Sequence, residues 1–266
     1  MKARIVSGVV GLGIIVPPLV WGGQRGAEIV VLIAMLVGLE EYAGLVLGEA
    51  RRKAFALLLA FAAPVWALLV WGPAEWHVPG ITAAALALFL VPMFAWSDTT
   101  AGAHAGLRLV AGLVYVPVLM SFLPRLRALD GGLTWLFLAL AITWAGDTGA
   151  YFSGRAFGKT PLFPRVSPKK TWEGAIGGAL LAAAFSAGLC LAFLPRVSLV
   201  HALVFGVLVD VFGILGDLVE SMLKRAFGIK DSGWIMPGHG GILDRIDSLL
   251  FTAPVLWIYA TLFQLG

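Results

Sequence analysis

Charge is scarce in this chain. Asp, Glu, Lys and Arg make up 13% of its 266 residues, about half the share of a soluble domain. Cysteine is almost absent. The single Cys190 sits inside an apolar run, which excludes a disulfide framework and a Cys-based metal site and leaves it a small buried hydrophobe. The formal net charge of +4 is too small to support a nucleic-acid partner, so the placement of the charges carries the information. No soluble domain, long linker or low-complexity tail interrupts the chain. No internal repeat is visible, which weakens an inverted-repeat transporter reading.

What is present is apolar. Hydrophobic residues make up 60% of the sequence, the mean hydropathy is +0.93, and runs near 20 residues recur. About 20 residues at 1.5 Å each cross the hydrocarbon core of a bilayer. The class is therefore an all-α, polytopic transmembrane bundle of about nine spans. The spans fall at roughly 4–21, 27–47, 53–71, 79–95, 107–123, 132–153, 172–193, 198–219 and 246–264. The start, Met1, Lys2, Ala3, Arg4 and an apolar run, resembles a signal peptide. It contains Pro17 and Pro18 and lacks a small-x-small cleavage site, so it reads as a retained first span. Residues 1–131 would hold spans one to five, and 132–266 spans six to nine with the catalytic site, in one integrated membrane domain.

With the N-terminus cytoplasmic and the C-terminus outside, 15 of the 19 Lys and Arg fall inside. Only Arg25, Arg125, Arg127 and Arg196 fall outside, a positive-inside pattern. The two longest loops, about 154–171 and 220–245, then face the cytoplasm across a cell (inner) membrane.

Ionisable groups near hydrocarbon come next, because each costs free energy. Glu40 and Glu41 interrupt the second span and read as structural hydrogen-bonding groups. Asp98, His104, Glu75 and His77 read as solvated loop residues, and His201 as interfacial. Asp210 precedes Asp217 by seven residues, about 700° of helix, so the two share a face. Glu220, Ser221 and Lys224 continue that polar stripe. Asp147 is placed about 15 residues into the sixth span. The loop after it carries Lys159, Arg165, Lys169 and Lys170, then Thr171 as N-cap of the seventh helix. Gly174, Gly177 and Gly178 allow close helix approach, within a protomer or between two in a homodimer.

The densest polar stretch runs from 217 to 247. Mg²⁺ takes a few hard carboxylates, keeps waters and binds best with substrate phosphates. Asp217 and Asp244 suit that role. Lys224, Arg225, Lys230 and Arg245 bring positive charge for phosphate oxygens. Gly238, Gly240 and Gly241 let backbone N–H groups approach an anion, with His239 among them. The pattern points to phosphoryl or nucleotidyl transfer, where charge neutralisation and positioning dominate.

The run Ser221-x2-Lys224-Arg225-x4-Lys230-Asp231-x-Gly233-x2-Ile235-x-Pro237-x-His239-Gly240-Gly241-x2-Asp244-Arg245-x-Asp247 resembles the signature of the phosphatidate cytidylyltransferase (CDP-diacylglycerol synthase) family. Gly216-Asp217-Leu218-x-Glu220, Asp147-x-Gly149-Ala150-Tyr151 and Ser167-Pro168-Lys169-Lys170-Thr171-x-Glu173-Gly174 are similar to it too. The likeness covers about a third of the chain and departs at no signature position. It implies condensation of CTP with phosphatidic acid to CDP-diacylglycerol and pyrophosphate, in phospholipid biosynthesis. It implies Mg²⁺ on Asp217 and Asp244, with or without a second cation. Lys224, Lys230 and Arg245, with Lys169 or Lys170, would hold the pyrophosphate or the lipid phosphate. Asp231, Asp247 and Asp147 would orient those cations or ligate metal through water, with Ser221, Arg225, His239, Gly240 and Gly241 in the same site. The D-x2-D-G-x2-A-R pattern of the CDP-alcohol phosphotransferases is absent. A transporter using Glu40, Glu41 and Asp210 is the rival, but it predicts polar groups spread through the bilayer rather than gathered at one face.

Overall fold

The computed structural model describes the backbone of residues 2–233 and 240–266, and their side chains apart from those of 2–10 and 12. The helices are α1 (Lys2–Trp21), α2 (Gly23–Leu47), α3 (Arg51–Trp71), α4 (His77–Ala95), α5 (Thr99–Leu113), α6 (Phe122–Arg127), α7 (Gly132–Phe157), α8 (Trp172–Phe193), α9 (Leu199–Ala226) and α10 (Leu243–Leu262). Five helical stretches among the described residues are long and apolar enough to cross a membrane: Gly23–Trp71, Ala74–Ala95, Thr99–Arg127, Trp172–Phe193 and Leu199–Ala226. The first is 49 residues long and is divided by a 3₁₀ turn at Gly48–Ala50, where Gly48 takes φ 45°, open mainly to glycine.

Each expected apolar run lies, to within two residues, inside a helical stretch, and the larger departures have local causes. The fifth run was expected from about 107. The helix instead begins at Thr99, because Asp98 accepts the Ala101 N–H at 2.6 Å and caps an Ala- and Gly-rich turn too polar to count as apolar. His104 consequently lies in α5, exposed, rather than in a loop. The same stretch carries a π-helical turn at Val114–Val118 containing Pro117, whose missing N–H disrupts the regular ladder.

The chain divides into two compact units. The first, Met1–Pro124 with Phe227–Arg245, has its core in Met35, Leu39, Leu58, Leu88, Leu109 and Leu113. Its polar ties run between helix ends. Arg108 Nη1 donates to Val46 O at 2.9 Å and Tyr42 Oη to Arg108 O at 2.9 Å, while Arg51 pairs with Glu40.

The second, Arg125–Ala226 with Ile246–Gly266, packs α7, α8 and α9 together. Trp135 and Phe205 meet in its core with centroids 5.8 Å apart. Small residues bring α7 and α8 together: a Cβ on Gly149 would lie 2.7 Å from Gly177 O and 2.9 Å from Leu181 Cβ, and one on Gly178 would lie 2.9 Å from Gly146 O. Without a hydrophobic drive between helices in lipid, such close backbone approach is a main source of attraction. Large apolar side chains such as Leu180 and Phe193 point outward, as lipid-facing helices require.

Gly149→Leu should therefore overpack this crossing and cost about 1–3 kcal/mol, read as a lower Tm in detergent. Gly188→Leu, on the same α8 but with open space around its Cβ position, should leave Tm nearly unchanged.

Candidate active site

The link from α7 to α8 is a two-stranded antiparallel hairpin, β1 (Pro161–Phe163) and β2 (Ser167–Thr171), paired Pro161 to Thr171 and Phe163 to Ser167. From the sequence this segment reads as a loop, because it is short, contains prolines and lacks a clear alternation. Its base is clipped shut. Glu173 accepts the Thr160 N–H at 3.2 Å and its hydroxyl at 2.9 Å, and Trp172 N–H donates to Thr160 O at 2.9 Å. Thr171 caps α8 by accepting the Gly174 N–H at 3.2 Å, as expected. Gly174 and Gly178 are used within the protomer, against Ala150 O and Gly146 O of α7.

The hairpin places Lys169 and Lys170 beside a cavity of about 540 Å³ in the second unit. Its polar lining includes Asp147, Tyr151, Arg155, Lys169, Lys170 and Asp217, and its walls include Ala150, Leu162, Ala175 and Ile214. Lys170 Nζ lies 2.5 Å from Asp217 Oδ2, and Ser221 Oγ donates to Asp217 Oδ1 at 3.1 Å. Asp247 joins this group because α9 and α10 touch at a glycine: a Cβ on Gly216 would lie 2.5 Å from Asp247 O. The Asp247 carboxylate is within electrostatic range of Asp217, Lys224 and Asp147. Lys224 bonds Glu220 Oε2 at 2.6 Å, with the two side chains 12% and 1% exposed, so a nearly buried carboxylate holds that ammonium. Arg225 is exposed at the end of α9.

The remaining expected residues belong to the first unit. Asp244 Oδ2 accepts three hydrogen bonds, from Ser232 N at 2.9 Å, Ser232 Oγ at 2.8 Å and Gly241 N at 2.8 Å. The Gly241 N–H thus points at Asp244. Gly240 takes φ 80°, a conformation L side chains rarely adopt, and a Cβ there would press on Asp244 Oδ2 at 2.5 Å. Lys230, Asp231 and Arg245 are exposed. His239, with Ile235, Pro237 and Gly238, lies outside the described residues.

The donor chemistry suits a hard divalent cation. Asp217 already draws an ammonium to 2.5 Å, and Asp217 and Asp244 offer carboxylate oxygens of the kind Mg²⁺ takes. Among the described residues no three or more His, Cys, Asp or Glu side chains form a metal cage, and Mg²⁺ characteristically uses one or two carboxylates with water and phosphate.

A family model described as "Cytidylyltransferase family" matches residues 2–263. The chain belongs to this family. The phosphatidate cytidylyltransferase of Bacillus subtilis is 34% identical over 99% of both chains. That of Brucella suis is 36% identical over 99% of this chain and 94% of its own. That of Synechocystis is 34% identical over 97% and 96%. The resemblance that rested on a third of the sequence thus extends to nearly all of it.

Several residues of this candidate site have no role of their own in the sequence reading. Arg155 and Tyr151 line the cavity at eight and four residues beyond Asp147, a helical spacing that would have found them. Glu220 and Lys224 share the polar stripe in the sequence reading without being paired, although Glu220 stands four residues before Lys224, the favourable order for a helix pair. Removing one member of such a pair strands a buried charge. Lys224→Met should therefore cost about 3 kcal/mol or more, and adding Glu220→Leu should recover much of it. Thermal unfolding of the two variants in detergent checks this.

Proposed function

We propose that this protein condenses CTP with phosphatidic acid to give CDP-diacylglycerol and pyrophosphate. The observation that carries the reading is the cavity in which Arg155, Lys169 and Lys170 meet Asp147 and Asp217 against apolar walls. Such a site suits a ligand that is anionic at one end and hydrocarbon at the other. The relatives named above as phosphatidate cytidylyltransferases, alike over nearly their full length, support the same substrates.

In the proposed reaction a phosphatidate oxygen attacks the α-phosphorus of CTP. The bond from that phosphorus to the bridging oxygen breaks, and pyrophosphate leaves. The lipid phosphate is already an anion near neutral pH, so the chain need supply no strong general base. Its task is to gather negative charges and align them. Lys169, Lys170 and Arg155 would hold the lipid phosphate. Lys224, Lys230, Arg225 and Arg245 would neutralise the triphosphate, with His239 as a further contact, while the Gly241 N–H would steady Asp244. Ser221 keeps Asp217 oriented, and Asp147, Asp231 and Asp247 orient the cations. Asp217 and Asp244 would hold Mg²⁺, with or without a second cation, which when bound would neutralise the CTP phosphates and favour in-line displacement.

The proposed topology is nine spans with a cytoplasmic N-terminus in the cell (inner) membrane. The lysine-bearing hairpin then faces the compartment that contains CTP. Cys190 is 1% exposed, so the native thiol gives a quiet background for labelling. Arg196→Cys should react with an impermeant maleimide in intact cells, and Arg165→Cys only after permeabilisation; the reverse order would invert the topology.

Purified protein should form CDP-diacylglycerol from labelled CTP and phosphatidic acid only with a divalent cation. Asp217→Asn and Asp244→Asn should each lose about a hundredfold or more in kcat/KM. Near-wild-type activity of either variant at limiting Mg²⁺ would overturn its metal assignment. Nucleotide-independent solute uptake into proteoliposomes would favour the transporter instead.

A further inference from the structure

Glu41 lies near the end of α2 and is only 3% exposed. A carboxylate so placed in an apolar bundle is costly unless its oxygens are satisfied. Both are, by a segment some 200 residues later. Oε1 accepts the Ile242 N–H at 3.0 Å and Oε2 the Leu243 N–H at 2.9 Å, with Ser232 Oγ at 3.4 Å from Oε2. Ile242 and Leu243 stand at the start of α10, where N–H groups have no intrahelical partner and the helix end carries partial positive charge. Glu41 thus caps α10 from another helix.

The residues flanking this carboxylate are shaped around it. A Cβ on Gly233 would overlap Glu41 Oε1, and one on Gly241 would lie 2.7 Å from its Cδ and overlap the Ser232 hydroxyl. Two glycines of the signature are therefore explained by one distant side chain. The donors of Asp244 are neighbours of those that Glu41 holds: the Ser232 hydroxyl stands beside both carboxylates, and Gly241 directly precedes Ile242. Ser232 gives its N–H and hydroxyl, and Gly241 its N–H, to Asp244 Oδ2. Three donors converge on that oxygen, so the direction of the Asp244 carboxylate depends on where Ser232 and Gly241 are held.

We propose that Glu41 is a positioning residue for the reaction. It touches no substrate, and it sets the loop and the helix start that orient Asp244. The inference rests on the reading of Asp244 as a cation-holding residue.

The test uses the full-length protein in detergent, with Mn²⁺ binding followed by the loss of the free-ion EPR signal. Glu41→Gln keeps the volume but turns one acceptor into a donor facing an N–H. Hydrogen exchange in a peptide covering 240–245 should accelerate, and Mn²⁺ affinity should fall about tenfold, as loss of an outer partner of a metal ligand does. The metal concentration for half-maximal activity should rise in parallel, while kcat at saturating metal stays close to wild type. Ser232→Ala, which removes one shared hydroxyl and leaves Glu41 in place, should weaken Mn²⁺ severalfold and keeps the idea testable if Glu41→Gln does not fold. Wild-type Mn²⁺ affinity in a folded Glu41→Gln protein, or failing that in Ser232→Ala, would overturn the proposal and leave Glu41 a purely structural cap. Asp244→Asn, measured alongside, separates the two readings. If it binds Mn²⁺ normally, the reading of Asp244 falls and this inference with it; if it binds weakly while Glu41→Gln does not, only this inference falls.

Discussion

A carboxylate inside an apolar bundle must be answered by protein groups, because lipid offers none. Much of this molecule follows from how its buried acids are answered. Glu28, 6% exposed, takes Arg25 at 2.9 Å and Gln24 at 3.1 Å from its own helix. Glu220 takes Lys224 one turn away. Glu41 takes backbone N–H groups from a helix start far along the chain. The first two are local and tune single helices. The third joins α2 to the start of α10, and it leaves no room for a side chain at Gly233 or Gly241.

Glycine plays the complementary part in the second unit. Where α7, α8 and α9 cross, small residues let backbones approach until polar groups share space. Asp210 fits against Gly146 of α7 and Gly178 of α8, where a Cβ on either would meet its Oδ1. Gly216 brings the backbone of Asp247 against α9 one residue before Asp217. The acidic cluster is thus assembled by omission of side chains, while the cationic side arrives on the hairpin, which delivers Lys170 to Asp217. A helix alone would not have provided that reach, because the Lys169–Lys170 pair lies beyond the end of α7.

Regular elements were legible because their cause is local. Apolar length placed the helices, and the Thr171 cap was readable from residue type and the glycine after it. The hairpin was not, because its pairing depends on closure by Glu173 and Thr160 rather than on alternation. Within the site, the polar residues were legible one by one as types, and their partners only where they lie on one helix. Ser221 with Asp217 and Glu220 with Lys224 are both four-residue pairs. Glu41 with Leu243 spans 202 positions, and nothing in an apolar helix carrying two glutamates says which distant amide either will meet.

That last contact also bears on the rival reading. The transporter reading leaned on Glu40, Glu41 and Asp210 as carboxylates within spans. Glu40 pairs with Arg51 at the far side of the turn between α2 and α3, and Glu41 is occupied by α10, so neither is left to bind and release a solute in turn. Asp210 shares its helix face with Asp217, two turns away, and Gly146, which it touches, lines the cavity. Glu40 and Glu41 are thus bound up with helix junctions, and Asp210 is packed against glycines of α7 and α8. A pathway needs polar groups in succession through the membrane; within the first unit Glu40 and Glu41 are instead committed to Arg51 and to the start of α10, and within the second Asp210 stands against a glycine of the cavity wall.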